Sequence, residues 1–218
     1  PEFENYRNLP LDQVIAVAHE AGIPVIVDAS AEIPPVENLT RFTRMGADLT
    51  VFSGGKDICG PQSSGLILGR ADLIQACAMN TSPHYSIGRP MKVGKEEIAG
   101  LITALEHWLK QDFAAEEQMW EDMVSTIVAM LANVPGLHAR RVSPGEPGIQ
   151  PNWIPRVYLD WDETVILLSR EEVKHRLRLG TPSIAVGTSS TGLFVNPQTL
   201  QPGQETIVAE RLLELFLL

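Results

Sequence analysis

Ile23-Pro24-Val25-Ile26-Val27-Asp28, followed by Ala47-Asp48-Leu49-Thr50-Val51-Phe52-Ser53-Gly54-Gly55-Lys56, is the stretch on which the fold turns. Each segment contains a short apolar, β-branched run, and the first has the pattern of a strand buried on both faces. Each follows a helical segment closed by glycine. Leu11 to Ala21 carries Leu11, Val14, Ile15, Val17 and Ala18 at helical spacing, has Asp12 in its first turn, and stops at Gly22. Leu39 to Met45 repeats the pattern and stops at Gly46. Helix, glycine turn and apolar strand, twice over, predict part of an open α/β sheet, where ligands sit beyond the carboxyl ends of the strands. Asp28 and Lys56 both fall at such ends.

Working outward, Gly65 to Gly69 reads as a further short strand and Ala71 to Met79 as a helix. Thr81 to Lys92 reads as an irregular loop and Lys95 to Gln111 as a long amphipathic helix. Beyond about Ala114 the character changes. Glu116 to Asn133 is helical and ends at Pro135-Gly136, and a Pro/Gly-rich loop from Pro144 to Pro151 leads to the strand Arg156 to Asp160. The helix Glu171 to Leu179, the hairpin strands Ser183 to Val186 and Gly192 to Val195, and a last helix from Gln204 complete a compact α+β unit. The boundary falls near residue 115, giving domains 1–115 and 116–218.

The composition sets the outer limits. The chain has 218 residues, 44% of them hydrophobic and 20% charged, which excludes a disordered or low-complexity protein. Lys and Arg number 17 against 27 Asp and Glu, a net charge of -10, which argues against a nucleic-acid partner. The two cysteines, Cys59 and Cys77, form neither a disulfide framework nor a zinc pattern, so the cytoplasm is the default compartment and no metal is expected. No apolar run approaches the ~20 residues of a membrane span. The chain opens on Pro1-Glu2-Phe3 without an initiator Met, which predicts that the native polypeptide starts elsewhere.

Lys56 is the chemically informative residue. A phosphate loop would need glycine at position 50 and Ser or Thr at 57, where this chain has Thr50 and Asp57. The alternative is a Schiff-base lysine, for which pyridoxal 5'-phosphate is the usual cofactor. Such a site needs an acid against the pyridinium nitrogen, an amine that forms and exchanges an imine, and donors for the phosphate. Asp28, Lys56 and Ser53 supply a candidate for each.

The runs Val27-Asp28-Ala29-Ser30-Ala31-Glu32-Ile33-Pro34-Pro35, Gly46 to Lys56 and Gly60-Pro61-Gln62-Ser63-Ser64-Gly65 resemble fold-type I pyridoxal-phosphate enzymes. Within these, the chain is similar to the group holding bacterial selenocysteine synthase and the D-glucosaminate-6-phosphate ammonia-lyases. Gly60-Pro61-Gln62, Ile87 to Glu97 and Phe194 to Gly203 favour the ammonia-lyase branch. The resemblance implies the carboxyl-terminal part of a large cofactor domain, a mostly parallel sheet with flanking helices, plus a small α+β domain. It implies a preceding segment with the phosphate loop and the residue stacked on the ring, and it implies a homodimer with shared active sites. The activity implied is α,β-elimination and deamination of a hydroxylated, phosphorylated amino acid. Lys56 would hold the cofactor and remove the Cα proton, Asp28 would keep the ring protonated, and Arg89 and Lys92 would bind the anionic substrate.

Each assignment has a plainer competitor. Lys56 could be a surface lysine, Asp28 a turn cap and Ser53 a turn hydroxyl bonded to local backbone. Arg89, Lys92 and Lys95 could be a solvated loop and helix start, although lysines at a helix amino terminus oppose its dipole and only Arg offers a bidentate fork for a carboxylate. His84 is a candidate acid for a departing hydroxyl or simply a loop histidine, and Cys59 receives no role. Gly187 stands near where many relatives of the wider fold carry a carboxylate-binding arginine, which argues against ordinary aminotransferase chemistry. Two rivals remain open: a selenium-transferase-like enzyme acting on aminoacyl-tRNA, and a non-catalytic module that keeps the fold alone.

Overall fold

The computed structural model describes residues 9–143, 154–188 and 192–217. The expected Pro144–Pro151 loop and the opening Pro1-Glu2-Phe3 lie outside them. The described residues fall into two compact units, one running through 9–112 and the other holding 113–143, 154–188 and 192–217.

In the first unit, α1 (Leu11–Glu20), β1 (Ile26–Asp28), α2 (Asn38–Arg44), β2 (Leu49–Ser53), β3 (Gly65–Gly69), α3 (Ala71–Asn80) and α4 (Lys95–Trp108) follow in order. A single 3-10 turn, Arg89–Met91, interrupts the expected loop before α4. The sheet order is β1-β2-β3. β1 and β2 pair in parallel, with Asp28 opposite Val51, because α2 carries the chain back across the sheet between them. β3 pairs antiparallel, from Leu49 opposite Gly69 to Ser53 opposite Gly65, so the sheet is mixed rather than mostly parallel among the described strands. β2 is central and carries buried Leu49, Thr50 and Phe52.

β1 corrects the expectation of a strand buried on both faces. Ile26 is 63% exposed and Val27 only half-buried, because β1 pairs with β2 alone among the described strands. What fixes β1 to its neighbour is a buried polar knot. The Asp48 carboxylate accepts from the Val25 N–H (2.7 Å) and from Arg70 (2.7 Å), and lies 2.9 Å from His19 Nε2. Arg70 first, then the Val25 amide and His19, hold this carboxyl well below the ordinary range. Gly69 permits the closure: with φ +151°, a Cβ there would lie 2.1 Å from the Asp48 carbonyl oxygen.

The second unit packs α5 (Phe113–Leu131), α6 (Arg170–Leu179) and α7 (Gln204–Phe216) with an antiparallel sheet of order β4-β5-β7-β6. β4 is Leu137–Val142, β5 Arg156–Trp161, β6 Gly187–Thr188 and β7 Leu193–Val195. Ile127, Leu131, Val157, Leu159, Val173, Leu177, Leu193 and Leu212 are buried together in one apolar core. Ser169 caps α6 by accepting the Glu172 N–H, the capping geometry that Ser-x-x-Glu favours. Sequence reasoning missed β4 and misplaced the first hairpin strand. Ser183–Val186 is not a strand, since the Ile184 amide donates to the Leu177 carbonyl at the end of α6 (3.0 Å), and pairing with β7 starts only at Gly187. Gly187 has no room for a side chain: a Cβ would meet Phe194 Cζ at 2.1 Å.

Candidate active site

The carboxyl end of β2 runs directly into the turn Gly54-Gly55-Lys56, and this turn is held by backbone rather than by side-chain bulk. Gly54 donates to the Ser64 carbonyl (2.9 Å) and its own carbonyl accepts from Gly60 (2.8 Å). Lys56 O accepts from the Cys59 amide (2.9 Å), and Gln62 Nε2 donates to Gly55 O (2.7 Å). The residue after the lysine is tied to helix α4, where buried Trp108 donates its indole N–H to Asp57 Oδ2 (2.7 Å). The loop is therefore pinned on both sides of Lys56, whose side chain is exposed and closes no ion pair among the described residues.

Parallel pairing puts Asp28 at the same end of the sheet, one strand over. Its carboxylate accepts from the Ser30 N–H (3.0 Å) and, in a short contact, from the Ser30 hydroxyl. These two bonds, the hydroxyl first, with the charge of Lys56 behind them, keep Asp28 below the ordinary carboxylate range, hence anionic at neutral pH. Asp28 thus caps its local turn and also lies in the field of Lys56. Ser53, the last residue of β2, is half-buried opposite Gly65.

Arg89 and Lys92 have surroundings of their own. The Arg89 guanidinium donates to Ser82 Oγ (2.7 Å) and lies 5.7 Å from the centroid of exposed Tyr85, while Lys92 is exposed. No hydrogen bond or ion pair among the described residues joins either one to Asp28 or Lys56. His84 is likewise an exposed loop residue, its amide bonded to Thr81 O.

One group at the site drew no attention as sequence. Glu32, in the loop after β1, is pushed up to about 7 by burial, with Asp28 adding to the rise and the Lys56 and Arg41 charges opposing it. The signal available was an acid lying four positions after Asp28 and followed at once by Ile33-Pro34-Pro35.

Parallel strands with an acid and a lysine at their shared carboxyl end define an α/β cofactor-binding class. The sequence pattern of class-V aminotransferases matches residues 8–181, and the chain belongs to that family, a fold-type I architecture whose cofactor is pyridoxal 5'-phosphate. It is 37% identical over 216 residues to a 5'-C-glycyluridine monooxygenase-decarboxylase of Streptomyces sp, covering 97% of this chain and 51% of that protein. It is 32% identical over 213 residues to the D-glucosaminate-6-phosphate ammonia lyase of Salmonella typhimurium (strain 14028s / SGSC 2262), covering 95% and 53%. A solved structure of D-glucosaminate-6-phosphate ammonia-lyase superposes with a TM-score of 0.70 at 29% identity, over 95% of this chain and 53% of that one. The chain spans about half the length of the curated relatives it matches.

The residues present suit that cofactor. An exposed lysine amine without an ion-pair partner among the described residues is available for an imine. A carboxylate that stays anionic is what a protonated ring nitrogen needs opposite it.

Proposed function

We propose that the protein is a pyridoxal-phosphate-dependent lyase that converts a hydroxylated, phosphorylated amino acid to a 2-oxo acid and ammonia. The observation that carries this reading is the placing of Asp28 and Lys56 at the carboxyl ends of adjacent parallel strands, each within the other's field. The similarity to the ammonia lyase supplies the reaction type. Bound here, the cofactor would supply an electron sink for the charge left at the substrate Cα.

The chain's own residues do the rest. Lys56 would hold the cofactor through its Nζ, give way to the substrate amine, and take the Cα proton as base. Asp28, fixed by Ser30, would keep the ring nitrogen protonated, and Ser53 would donate its hydroxyl to the phosphate. Arg89 and Lys92 would bind the substrate anion, with the Ser82 contact setting the direction of the Arg89 fork. Loss of the Cα proton and the β-hydroxyl, followed by hydrolysis, balances as a rearrangement of one amino acid to one 2-oxo acid and one ammonia. In this reading the partners are a small anionic amino acid and a second copy of the chain. The net charge of -10 argues against tRNA, and among the described residues no helix is long and apolar enough to cross a membrane. The cytoplasm is the compartment that goes with this reading.

A second reading rests on the 37% identical relative: oxidative decarboxylation of an amino acid at the same lysine. The experiment is to add pyridoxal 5'-phosphate, record the absorbance before and after borohydride, and map the reduced adduct by peptide mass. The adduct is expected on Lys56 and is expected to be absent in Lys56→Ala; trapping elsewhere would end the assignment. Turnover of 3-hydroxylated amino acid phosphates then separates the readings. Ammonia and 2-oxo acid released without oxygen support the lyase, whereas oxygen uptake with carbon dioxide release supports the decarboxylase.

A further inference from the structure

Most cations of the second unit have a partner within it. Arg141 is ion-paired with Glu121, Arg170 with Glu163, Arg176 with Glu172 and Arg211 with Glu214. The Arg140 guanidinium lies over the Tyr158 ring, 4.5 Å from its centroid, and that of Arg156 over the Phe194 ring at 5.2 Å. Arg178 and Lys174, the single lysine between residues 113 and 218, depart from this pattern. Neither meets a carboxylate or a ring among the described residues.

Both line the same cavity. Lys174, His175 and Arg178 of α6 border a space of about 290 Å³, together with Glu171 from the first turn of that helix and the apolar segment 184–186. The two sides are tied to each other: the Ile184 amide donates to Leu177 O (3.0 Å), and Ser183 Oγ donates to Arg178 O (2.7 Å). Glu171, Lys174 and Arg178 recur at i, i+3 and i+7, so they share one helix face. Like charges four residues apart on a helix repel and weaken it. The negative end of the helix dipole favours a cation in the last turn, which accounts for the sign of Arg178 and not for Lys174 or the cavity. In a chain with 27 Asp and Glu against 17 Lys and Arg, two cations gathered in a cavity without a carboxylate of their own are suited to an anion from outside the chain.

We infer that this cavity is a binding site for a compact organic phosphate that carries an amine. Arg178 offers its fork to two phosphate oxygens, Lys174 adds a point charge, and His175 donates a ring N–H. Glu171, towards the other end of the same helix face, accepts from the amine of the ligand. The charge matches: a phosphate monoester carries about -1.5 to -2 at neutral pH, whereas a single carboxylate leaves one of the two cations unmatched. The size matches as well, because the volume lies at the small end of ligand pockets, roughly 300–1,000 Å³, and the apolar segment suits a short carbon chain. The site stands on residues of the second unit alone and does not rest on the reading of Lys56.

The test is a titration of the full chain with O-phosphoethanolamine, followed by backbone amide NMR shifts and by calorimetry. Saturable shifts are expected at residues 171–178 and 184–186. Arg178→Gln and Lys174→Gln should each raise Kd about tenfold or more, the loss expected when a hydrogen bond to a charged group goes. Arg178→Lys, which keeps the charge and loses the fork, should fall between parent and Arg178→Gln. Arg178 is exposed and Gln and Lys are good helix formers, so these variants are expected to fold. Arg176→Gln is the control: its guanidinium is held by Glu172, and Kd should stay within about twofold. Methyl phosphate, which lacks the amine, should bind more weakly than O-phosphoethanolamine to the parent and equally well to Glu171→Gln. Lys56→Ala should bind O-phosphoethanolamine as the parent does. No saturation at millimolar concentration, shifts centred outside the two segments, a Kd that Arg178→Gln leaves unchanged, or binding lost in Lys56→Ala overturns the inference.

Discussion

Gly54 is the residue on which the lysine loop closes, and the cost of filling it can be worked from the structure. A Cβ at Gly54 would lie 2.2 Å from Ser64 Oγ, 2.6 Å from Leu101 Cδ1 and 3.1 Å from Ser64 O. The Leu101 methyl is the end of a flexible side chain and can turn away. Ser64 cannot: it is 9% exposed, its hydroxyl donates to Pro61 O (2.6 Å), and its carbonyl accepts the Gly54 amide (2.9 Å). Gly54→Ala must therefore push Ser64, the residue before β3, back by about 1 Å or break one of these bonds. Overpacking of this kind costs about 1–3 kcal/mol and a lost hydrogen bond about 1 kcal/mol, so the variant should lose about 2–4 kcal/mol. The assay is denaturant unfolding of Gly54→Ala, Ser64→Ala and the double variant, with the slope checked for constancy. Removing the hydroxyl should restore at least about 1 kcal/mol of the Gly54→Ala loss as a coupling energy. Gly22→Ala is the control. Gly22 has φ +69° and nothing within 4 Å of a Cβ, so it should cost only the left-handed backbone strain of about 1–2 kcal/mol. A Gly54→Ala loss below about 0.5 kcal/mol, or strict additivity with Ser64→Ala, would refute the steric account.

Three further outcomes are expected. Glu32 has a folded-state midpoint near 7 against an ordinary value of 4.5, so the chain should be most stable, as far as this group is concerned, below 4.5 and should lose stability as the pH rises to 7. The full shift corresponds to about 3.4 kcal/mol, which the partial exposure of the side chain reduces to about 1–2 kcal/mol; Glu32→Gln should gain that much on its parent between pH 4 and pH 8, and a pH-independent difference sinks the claim. Trp108→Phe removes the indole donor to Asp57 and should cost about 1–2 kcal/mol, with faster amide exchange at residues 56–60; unchanged exchange there would show that the tether does not hold the loop. Leu159→Ala in the fully buried core of the second unit should cost about 2–5 kcal/mol, measured by the same unfolding experiment, and a loss under about 1 kcal/mol would contradict the packing described.

The end of the sheet that carries the site was legible because two glycine-stopped helices and two β-branched runs leave little choice of topology. A parallel connection through α2 then forces Asp28 and the turn before Lys56 to the same side. What stayed hidden depends on pairing and shielding that no local pattern encodes. Ile26 looks like a core residue in sequence and is largely exposed, because the apolar run belongs to a strand paired on one edge only among those described. β4 escaped notice for the opposite reason. Leu137-His138-Ala139-Arg140-Arg141-Val142 buries only Leu137 deeply, and its order comes from the ladder with β5 rather than from an apolar alternation of its own. The run Ser183–Val186 has strand composition, yet the Ile184 amide is taken by the end of α6 before any sheet pairing begins.

Asp28 and Glu32 show how the same limit applies to chemistry. Both are acids in one short segment, and as sequence the first attracts attention because it ends an apolar strand. Their protonation states are decided by different agents: Asp28 by donors two residues away, which sequence can suggest, and Glu32 by burial, which it cannot. The Asn38 amide that fixes Glu32 comes from another element, six positions on, and only the folded loop brings them together. A site built from one solvated and one shielded carboxyl around a lysine is therefore half-visible in the chain. The visible half is the anion that a cofactor ring would need, and the hidden half is a carboxyl raised by burial rather than by anything its neighbours in sequence display.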